Sequence, residues 1–354
     1  MKDLDRADRS RWPMLDGLRG IAILLVLASH VGLGGNGGAV GVTLFFVLSG
    51  FLITNLLVGE LDSEGSIQLG RFYFRRAYRL LPALLLYLVG AGLVAIAFGR
   101  SWGWVWDETW PPLLYVANYS QILGAELDMN WQTWSLAVEE HFYLVWPLLM
   151  LLIPTHRRLR LLGAGVLVLA VWSGFTWLLD SDWGYSSTDA NAYALAAGCL
   201  VAVARREKAG PRFPPSAPLL GVVLLAAATA IPAHPIRQPI VVAIAALTVW
   251  ACVADEVGVL SSRPLRFVGR ISYGLYLWHV PLLMAAGSAL GFRALAAVAS
   301  MGVAWLSWKL VERPLLIRRD DHWNRLRARR RRYETESDAA TEPGIPEVSS
   351  PAVL

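Results

Sequence analysis

Apolar residues fall in long blocks along the chain. Ten windows of about 20 mostly apolar residues, the length needed to cross a bilayer's hydrocarbon core, run roughly over 16–36, 39–58, 78–98, 134–154, 160–180, 189–204, 217–233, 239–255, 271–290 and 294–313. The first is not a cleaved leader, because it is too long, holds Arg19 and His30, and no processing site precedes the next window. An eleventh, re-entrant piece is expected around 110–122, where Pro111-Pro112 breaks a moderately apolar stretch. After Arg319 the chain reads RLRARRRRY and then turns polar, rich in Pro, Ser, Thr and Glu, with no apolar period. That tail is expected to be disordered. Its basic run suits anionic head groups, at about 1 kcal/mol per close charge. The pattern predicts an all-α, polytopic membrane helical bundle of about ten helices. Residues 1–14 form a cytoplasmic segment, 15–317 the membrane domain and 318–354 the basic tail.

Composition agrees. Of 354 residues 55% are hydrophobic and 17% charged, against about 45–50% and about 25% in soluble domains. This excludes a soluble globular domain, a disordered chain and a disulfide scaffold. The 16 Trp and 31 Gly fit interfacial girdles and small-residue helix contacts. A net charge of +5 would by itself invite a nucleic-acid reading. The placement of the charges argues against one. With the N-terminus cytoplasmic, the outer loops hold only Arg100, Arg237 and Arg293 of the 32 basic residues, along with acids such as Asp107, Glu108, Asp128 and Asp182. Arg157, Arg158, Arg205, Arg206, Lys208, Arg263 and Arg270 fall inside. This is the positive-inside asymmetry. It predicts both termini in the cytoplasm, a multi-pass protein of the cell inner membrane, the bilayer as a partner, and no nucleic acid. Cys199 and Cys252 lie in apolar runs and read as buried packing residues, and no metal site is expected.

Charges inside spans must face a partner, a cavity or water. Arg19 and His30 are eleven residues apart, so they share a helix face about 16 Å apart along the axis, with His30 outermost. The plainer reading of His30 is a polar residue at the outer interface. In the fourth window Glu139, Tyr143 and Trp146 share a face by i, i+4, i+7 spacing, while Glu140 and His141 point elsewhere. Counted from Trp134, Glu139 should reach a depth similar to His30. A His and a Glu at one depth suit general-base chemistry. Ser49-Gly50 reads as a helix-packing pair, since no GxSxG elbow is present. The segment RFYFRRAYRLLP gathers Arg71, Arg75, Arg76 and Arg79 among Phe72, Tyr73, Phe74 and Tyr78. It is either an ordinary inner-face anchor or a phosphate clamp, with Arg76 and Arg79 on one face. Tyr273, Tyr276 and His279 line the ninth window ahead of Pro281, where His279 is either satisfied by a backbone carbonyl or catalytic. Glu312 and Arg313 close the tenth, either as a local pair or as a coenzyme or bundle contact.

Taken in order, LDGLRGIAILLVLASH (15–30), VTLFFVLSGFLIT (42–54), FYFRRAYRLLPALL (72–85), NWQTWSLAVEEHFYLVWPLL (130–149), ISYGLYLWHVPLL (271–283) and VERP (311–314) resemble the acyltransferase-3 family of integral membrane O-acyltransferases. The resemblance implies a ten-span enzyme taking an acyl group, acetyl above all, from cytoplasmic acyl-CoA. The acceptor would be a hydroxyl of a glycan, a glycolipid or a macrolide-like glycosylated metabolite. The family's first-span motif falls on Arg19 and His30, with His30 the essential histidine. Its RxxR motif falls on Arg76 and Arg79, joined by Arg75 and Tyr73 for the coenzyme, and its acidic fourth-span position on Glu139. Tyr143, Tyr276, His279 and Glu312 are further candidates. The expected chemistry is direct transfer, with His30 as base, Glu139 orienting its imidazole and Arg19 either stabilising the thioester end or positioning the coenzyme. Many relatives carry an extracellular hydrolase-like domain, and its absence here points to a small or lipid-linked acceptor. Two rival readings remain: a transporter using the same charges as a proton relay, and a membrane sensor.

Overall fold

The computed structural model describes residues 12–319 apart from residues 233 and 255–257. The expectations for the extreme N-terminal segment and the basic tail lie outside the described residues. Within them the chain is helical with no strand. The helices are α1 (Pro13–Val31), α2 (Gly37–Glu64), α3 (Leu69–Ala97), α4 (Trp102–Leu113), α5 (Ala117–Ile122), α6 (Trp134–Leu152), α7 (Arg158–Leu179), α8 (Ser181–Ser186), α9 (Thr188–Arg206), α10 (Ala217–Ala228), α11 (Arg237–Ala254), α12 (Arg263–Arg270), α13 (Ser272–Ala285) and α14 (Leu290–Ser307). Each of the ten apolar windows falls on one of them. Six helical segments among the described residues are long and apolar enough to cross a bilayer: those of α1, α2, α3, α6, α7 and α14. The other four windows fall on α9, α10, α11 and α13, which are shorter or less apolar.

One expected break is displaced. Pro111 and Pro112 lie inside α4. The turn follows them, with Tyr115 at φ 56 in the left-handed region before α5 begins. Pro112 cannot donate to the helix, but its carbonyl accepts from the Tyr115 amide at 3.1 Å, and the Pro111 carbonyl accepts from Val116 at 2.9 Å.

Helices surrounded by lipid gain little from burying apolar surface against each other, so close backbone contact carries the association. The α2–α9 crossing depends on two glycines. A Cβ on Gly50 would stand 1.9 Å from the Leu195 carbonyl oxygen, and one on Gly198 would stand 2.0 Å from that of Val47. Around α1 the same device recurs at Gly17 against Leu260 and at Gly269 against Asp16. The central packing gathers Leu18, Ile23, Leu44, Phe46, Leu48 and Leu195, all essentially inaccessible. Leucines and valines such as Leu93, Leu167, Val171 and Leu178 remain exposed on the periphery, as a lipid-facing surface requires. Cys199 and Cys252 are both buried.

After α14 the helix widens into a π-turn over Trp308–Glu312 and continues to Arg319. The extra residue in that turn directs the Glu312 carboxylate inward. There it accepts from Ser307 Oγ at 3.1 Å and lies against Gly274.

Candidate active site

His30 occupies the last turn of α1, just before Gly32, whose φ of 99 ends the helix in the left-handed conformation. Its imidazole stacks on that of His279, with ring centroids 5.1 Å apart and planes at 18°, and His30 Nδ1 lies 2.9 Å from His279 Nε2. Trp131 packs edge-on against the other side at 5.1 Å. The Arg293 guanidinium donates to the His30 carbonyl, placing a cation at the negative end of α1. His30 Nε2 faces Gly38, where a Cβ would stand 3.4 Å away.

His279 is fully buried. Its Nδ1 meets the carbonyls of Leu275 at 3.1 Å and Tyr276 at 2.8 Å. The carbonyl that Pro281 leaves without its helical donor, on Leu277, accepts instead from Gln132 Nε2 at 3.2 Å. His279 is therefore both carbonyl-satisfied and joined to His30.

Glu139 does not orient His30, and its expected depth is corrected. Its carboxylate accepts from Ser49 Oγ at 2.7 Å and from the Tyr143 hydroxyl at 3.1 Å. Ser49 lies eleven residues along α2 from Gly38, which touches His30, so the carboxylate sits about 16 Å deeper than the imidazole. That is the depth of Arg19, and Arg19 and Glu139 line the same small cavity with Ser135, Ser272, Tyr273 and Tyr276. The cause is that α6 does not start at the membrane surface. Residues 117–133 fill the outer layer, where Trp131 packs on His30, and Trp134 already meets Phe46, nine residues into α2. The shared face of α6 is as expected: Trp146 Nε1 continues it by donating to Thr54 Oγ1 at 2.8 Å. His141 points away, with Nδ1 2.7 Å from Thr188 Oγ1.

The arginine cluster divides. Arg71 is neutralised by Glu60 and Glu64. The Arg76 guanidinium sits 3.5 Å from the centroid of the Tyr143 ring, a cation–π contact. It lines a cavity of about 150 Å³ with Glu140, Tyr73 and Tyr115. Tyr73 donates to the Leu144 carbonyl at 2.8 Å, and the Arg75 carbonyl accepts from Arg319 at 3.4 Å. Arg79 instead opens onto a second cavity of about 200 Å³, shared with Asp16, Arg19, Arg270, Glu312 and Arg319. Among the described residues the lining of this basin holds four arginines and two carboxylates. The basin and the Glu139 cavity lie side by side, with Arg19, Ser272 and Tyr273 as their common wall. From there Tyr276 leads on: its hydroxyl lies 2.7 Å from Ser135 Oγ, and its ring is 5.6 Å from that of His279.

Ser49, Trp131, Ser135 and Arg293 were not singled out as site residues by the sequence pattern. Trp131 and Ser135 lie within the NWQTWSL segment but carry no charge to flag them. Ser49 and Arg293 gave no signal beyond helix packing and loop charge. Among the described residues no three His, Cys, Asp or Glu side chains converge as a metal site.

Fold and site together define a multi-pass helical membrane protein whose polar side chains line adjacent cavities within the helix bundle. The chain belongs to a family of acyltransferase domains: the family model described as "Acyltransferase domain" matches residues 12–309. Among curated relatives, the peptidoglycan O-acetyltransferase OatA of Listeria monocytogenes is 30% identical over 89% of this chain and 57% of its own length. YrhL of Bacillus subtilis, whose name proposes the same activity, is 29% identical over 77% of this chain and 48% of its own. A Staphylococcus aureus protein whose name proposes O-acetyltransferase activity is 29% identical over 77% of this chain and 50% of its own. The chain spans about half the length of the curated relatives it matches. No solved structure matches it.

Proposed function

We propose that this domain is a membrane-embedded O-acyltransferase that moves an acetyl group from cytoplasmic acetyl-CoA to a carbohydrate hydroxyl at the outer side of the cell's inner membrane. The observation that carries the reading is that the arginine-lined basin adjoins the Glu139 cavity across the shared residues Arg19, Ser272 and Tyr273. The basin suits the coenzyme's phosphates, which Arg79, Arg270 and Arg319 would meet with charge-assisted hydrogen bonds. Glu312 and Asp16 in the same wall keep those guanidinium groups from repelling one another unopposed. The long, thin pantetheine arm would then pass Arg19 and Glu139 toward the His30–His279 pair. In this reading the chain crosses ten times with both termini cytoplasmic, and the basin then lies on the coenzyme's side and His30 on the acceptor's side.

In the reaction, His30 takes the proton of the acceptor hydroxyl as that oxygen bonds to the thioester carbonyl carbon. The carbon–sulfur bond then breaks, and the departing coenzyme thiolate takes the proton from the imidazolium. The products are an ester and free coenzyme A, and His30 ends neutral. The relatives' names give the acceptor class by analogy, a cell-wall glycan. A general base contributes about 100- to 10,000-fold. Cells carrying His30→Ala at wild-type membrane levels are therefore expected to lose at least about 100-fold of the gene-dependent O-acetylation of envelope glycans and secreted glycosylated metabolites, measured by mass spectrometry. Undiminished acetylation would overturn the assignment of His30.

A further inference from the structure

Among the described residues no carboxylate is hydrogen-bonded to the histidine pair. Among the described residues the rings meet Trp131, the ring of Tyr276, Gly38 and backbone carbonyls, and the Arg293 guanidinium donates to the His30 carbonyl. Proton positions follow from these contacts. A carbonyl oxygen only accepts, and His279 Nδ1 faces two of them, on Leu275 and Tyr276. His279 therefore carries its proton on Nδ1, and as a neutral ring it has a lone pair on Nε2. That lone pair lies 2.9 Å from His30 Nδ1. A hydrogen bond there needs His30 to be protonated at Nδ1, which leaves the lone pair on its Nε2, the nitrogen that faces Gly38.

We propose that His279 is the positioning residue of this site: through the chain carbonyl–His279–His30 it holds His30 in the tautomer whose Nε2 accepts the acceptor's proton. The proposal rests on the reading of His30 as general base and adds the atom and the device. A free imidazole prefers the opposite tautomer, with the proton on Nε2, which is the wrong form for a base at that nitrogen. The choice of a neutral ring in place of a carboxylate has a physical reason. An ionised partner at this depth carries a heavy desolvation cost. An imidazole anchored on backbone carbonyls supplies the same acceptor without a resting charge. When His30 takes the acceptor's proton at Nε2, its Nδ1–H becomes a cationic donor and the bond to His279 strengthens as the transition state forms.

The test uses the full chain. Glutamine at 279 places an amide oxygen near the position of Nε2 and keeps the acceptor, whereas asparagine mimics only the Nδ1 side and leucine mimics neither. Acetyl transfer from acetyl-CoA to envelope glycan is measured in membrane vesicles of equal protein content. His279→Asn and His279→Leu are expected to lower kcat at least about tenfold with KM for acetyl-CoA unchanged, since a partner that fixes a tautomer is worth up to about 10,000-fold in serine triads. His279→Gln is expected to recover most of that loss. Full activity in the Asn or Leu variant, a Gln variant as weak as Leu, or an effect confined to KM would each overturn the proposal. Nitrogen NMR of the labelled wild-type protein in micelles, with the His30 signals assigned by loss in His30→Gln, reads the tautomer without any activity. A proton on His30 Nδ1 supports the proposal and one on Nε2 overturns it. A His30→Ala variant that still transfers would overturn the general-base reading and this proposal with it, whereas an inactive His30→Ala beside a fully active His279→Leu would overturn this proposal alone, which keeps the two failures distinct.

Discussion

Arg76 and Arg79 stand one helical turn apart on α3 yet meet different surroundings. Arg76 is covered by the Tyr143 ring and faces Glu140, so its charge already has partners within the fold. Arg79 opens on the basin between α1, the α12–α13 junction and the end of α14, where positive groups outnumber acids. A hydrogen bond to a charged group is worth about 1.5–3 kcal/mol. Arg79→Ala is therefore expected to raise KM for acetyl-CoA about tenfold or more, with a smaller change for Arg76→Ala, whose loss falls on stability and kcat. Steady-state titration of acetyl-CoA against both variants at equal folded content checks this, and equal KM shifts would return both arginines to a single clamp. Spacing in the sequence placed the two on one face, which is true to within about 60° of rotation. It does not say that a neighbouring helix supplies a tyrosine to one and a cavity to the other. Glu139 shows the same limit. Its face, shared with Tyr143 and Trp146, follows from helical period, but its depth was counted from Trp134, and nothing in the residue pattern said that the segment before Trp134 folds inward.

Helix existence was the legible part, because a bilayer demands about 20 apolar residues whatever the partners are. All ten windows became helices for that reason. Which helices touch is decided by smaller features. Gly50 follows Ser49, so the glycine that brings α9 against α2 also sets the position of the serine bonded to Glu139. A Cβ at Gly50 meets backbone at 1.9 Å, and a carbonyl cannot step aside as a flexible side chain does. Overpacking of this kind costs about 1–3 kcal/mol or more. Gly50→Ala is expected to lower the melting temperature in detergent by several degrees and to reduce transfer with it. Gly174→Ala on α7 is its control, since a Cβ there meets nothing within 4 Å, and in a helix interior it gains propensity. Melting curves of the two purified variants decide the matter; a Gly50→Ala protein as stable as Gly174→Ala would mean that the crossing tolerates separation. Ser49 itself was read only as half of a packing pair. The glycine half of that reading describes Gly50, while the serine's bond to Glu139 depends on a helix 90 residues away.

For the whole molecule the question is how many times the chain crosses. If only the six long segments crossed, everything from residue 180 to 289 would lie outside, with Arg205, Arg206, Lys208, Arg263 and Arg270, against the positive-inside rule. The contacts of the shorter helices favour ten crossings. At the end of the bundle where α1 starts, Arg206 reaches Asp62 and Asn55 near the end of α2, Arg205 donates to the Val253 carbonyl at 3.3 Å, and Arg270 shares the basin with Arg19 and Arg319. At the opposite end, where α1 stops, the Asn36 amide donates to the Thr229 carbonyl at 2.9 Å, Gln238 Nε2 donates to Thr43 Oγ1 at 3.2 Å, and Leu283 packs with Leu27 and Val31. α11 and α13 thus have contacts at both ends, α9 at the first and α10 at the opposite one. Single cysteines in a Cys199→Ala, Cys252→Ala background can distinguish the two counts. Phe98→Cys and Ile236→Cys, at exposed positions, are expected to react with an impermeant maleimide on intact cells. Ser66→Cys and Glu207→Cys, also exposed, are expected to react only after the membrane is opened. Glu207 decides, because six crossings put it outside and ten put it inside. Labelling of Glu207→Cys on intact cells would place the Arg205–Lys208 cluster on the outer face. It would also remove the sidedness on which delivery of acetyl-CoA to the Arg79 basin depends.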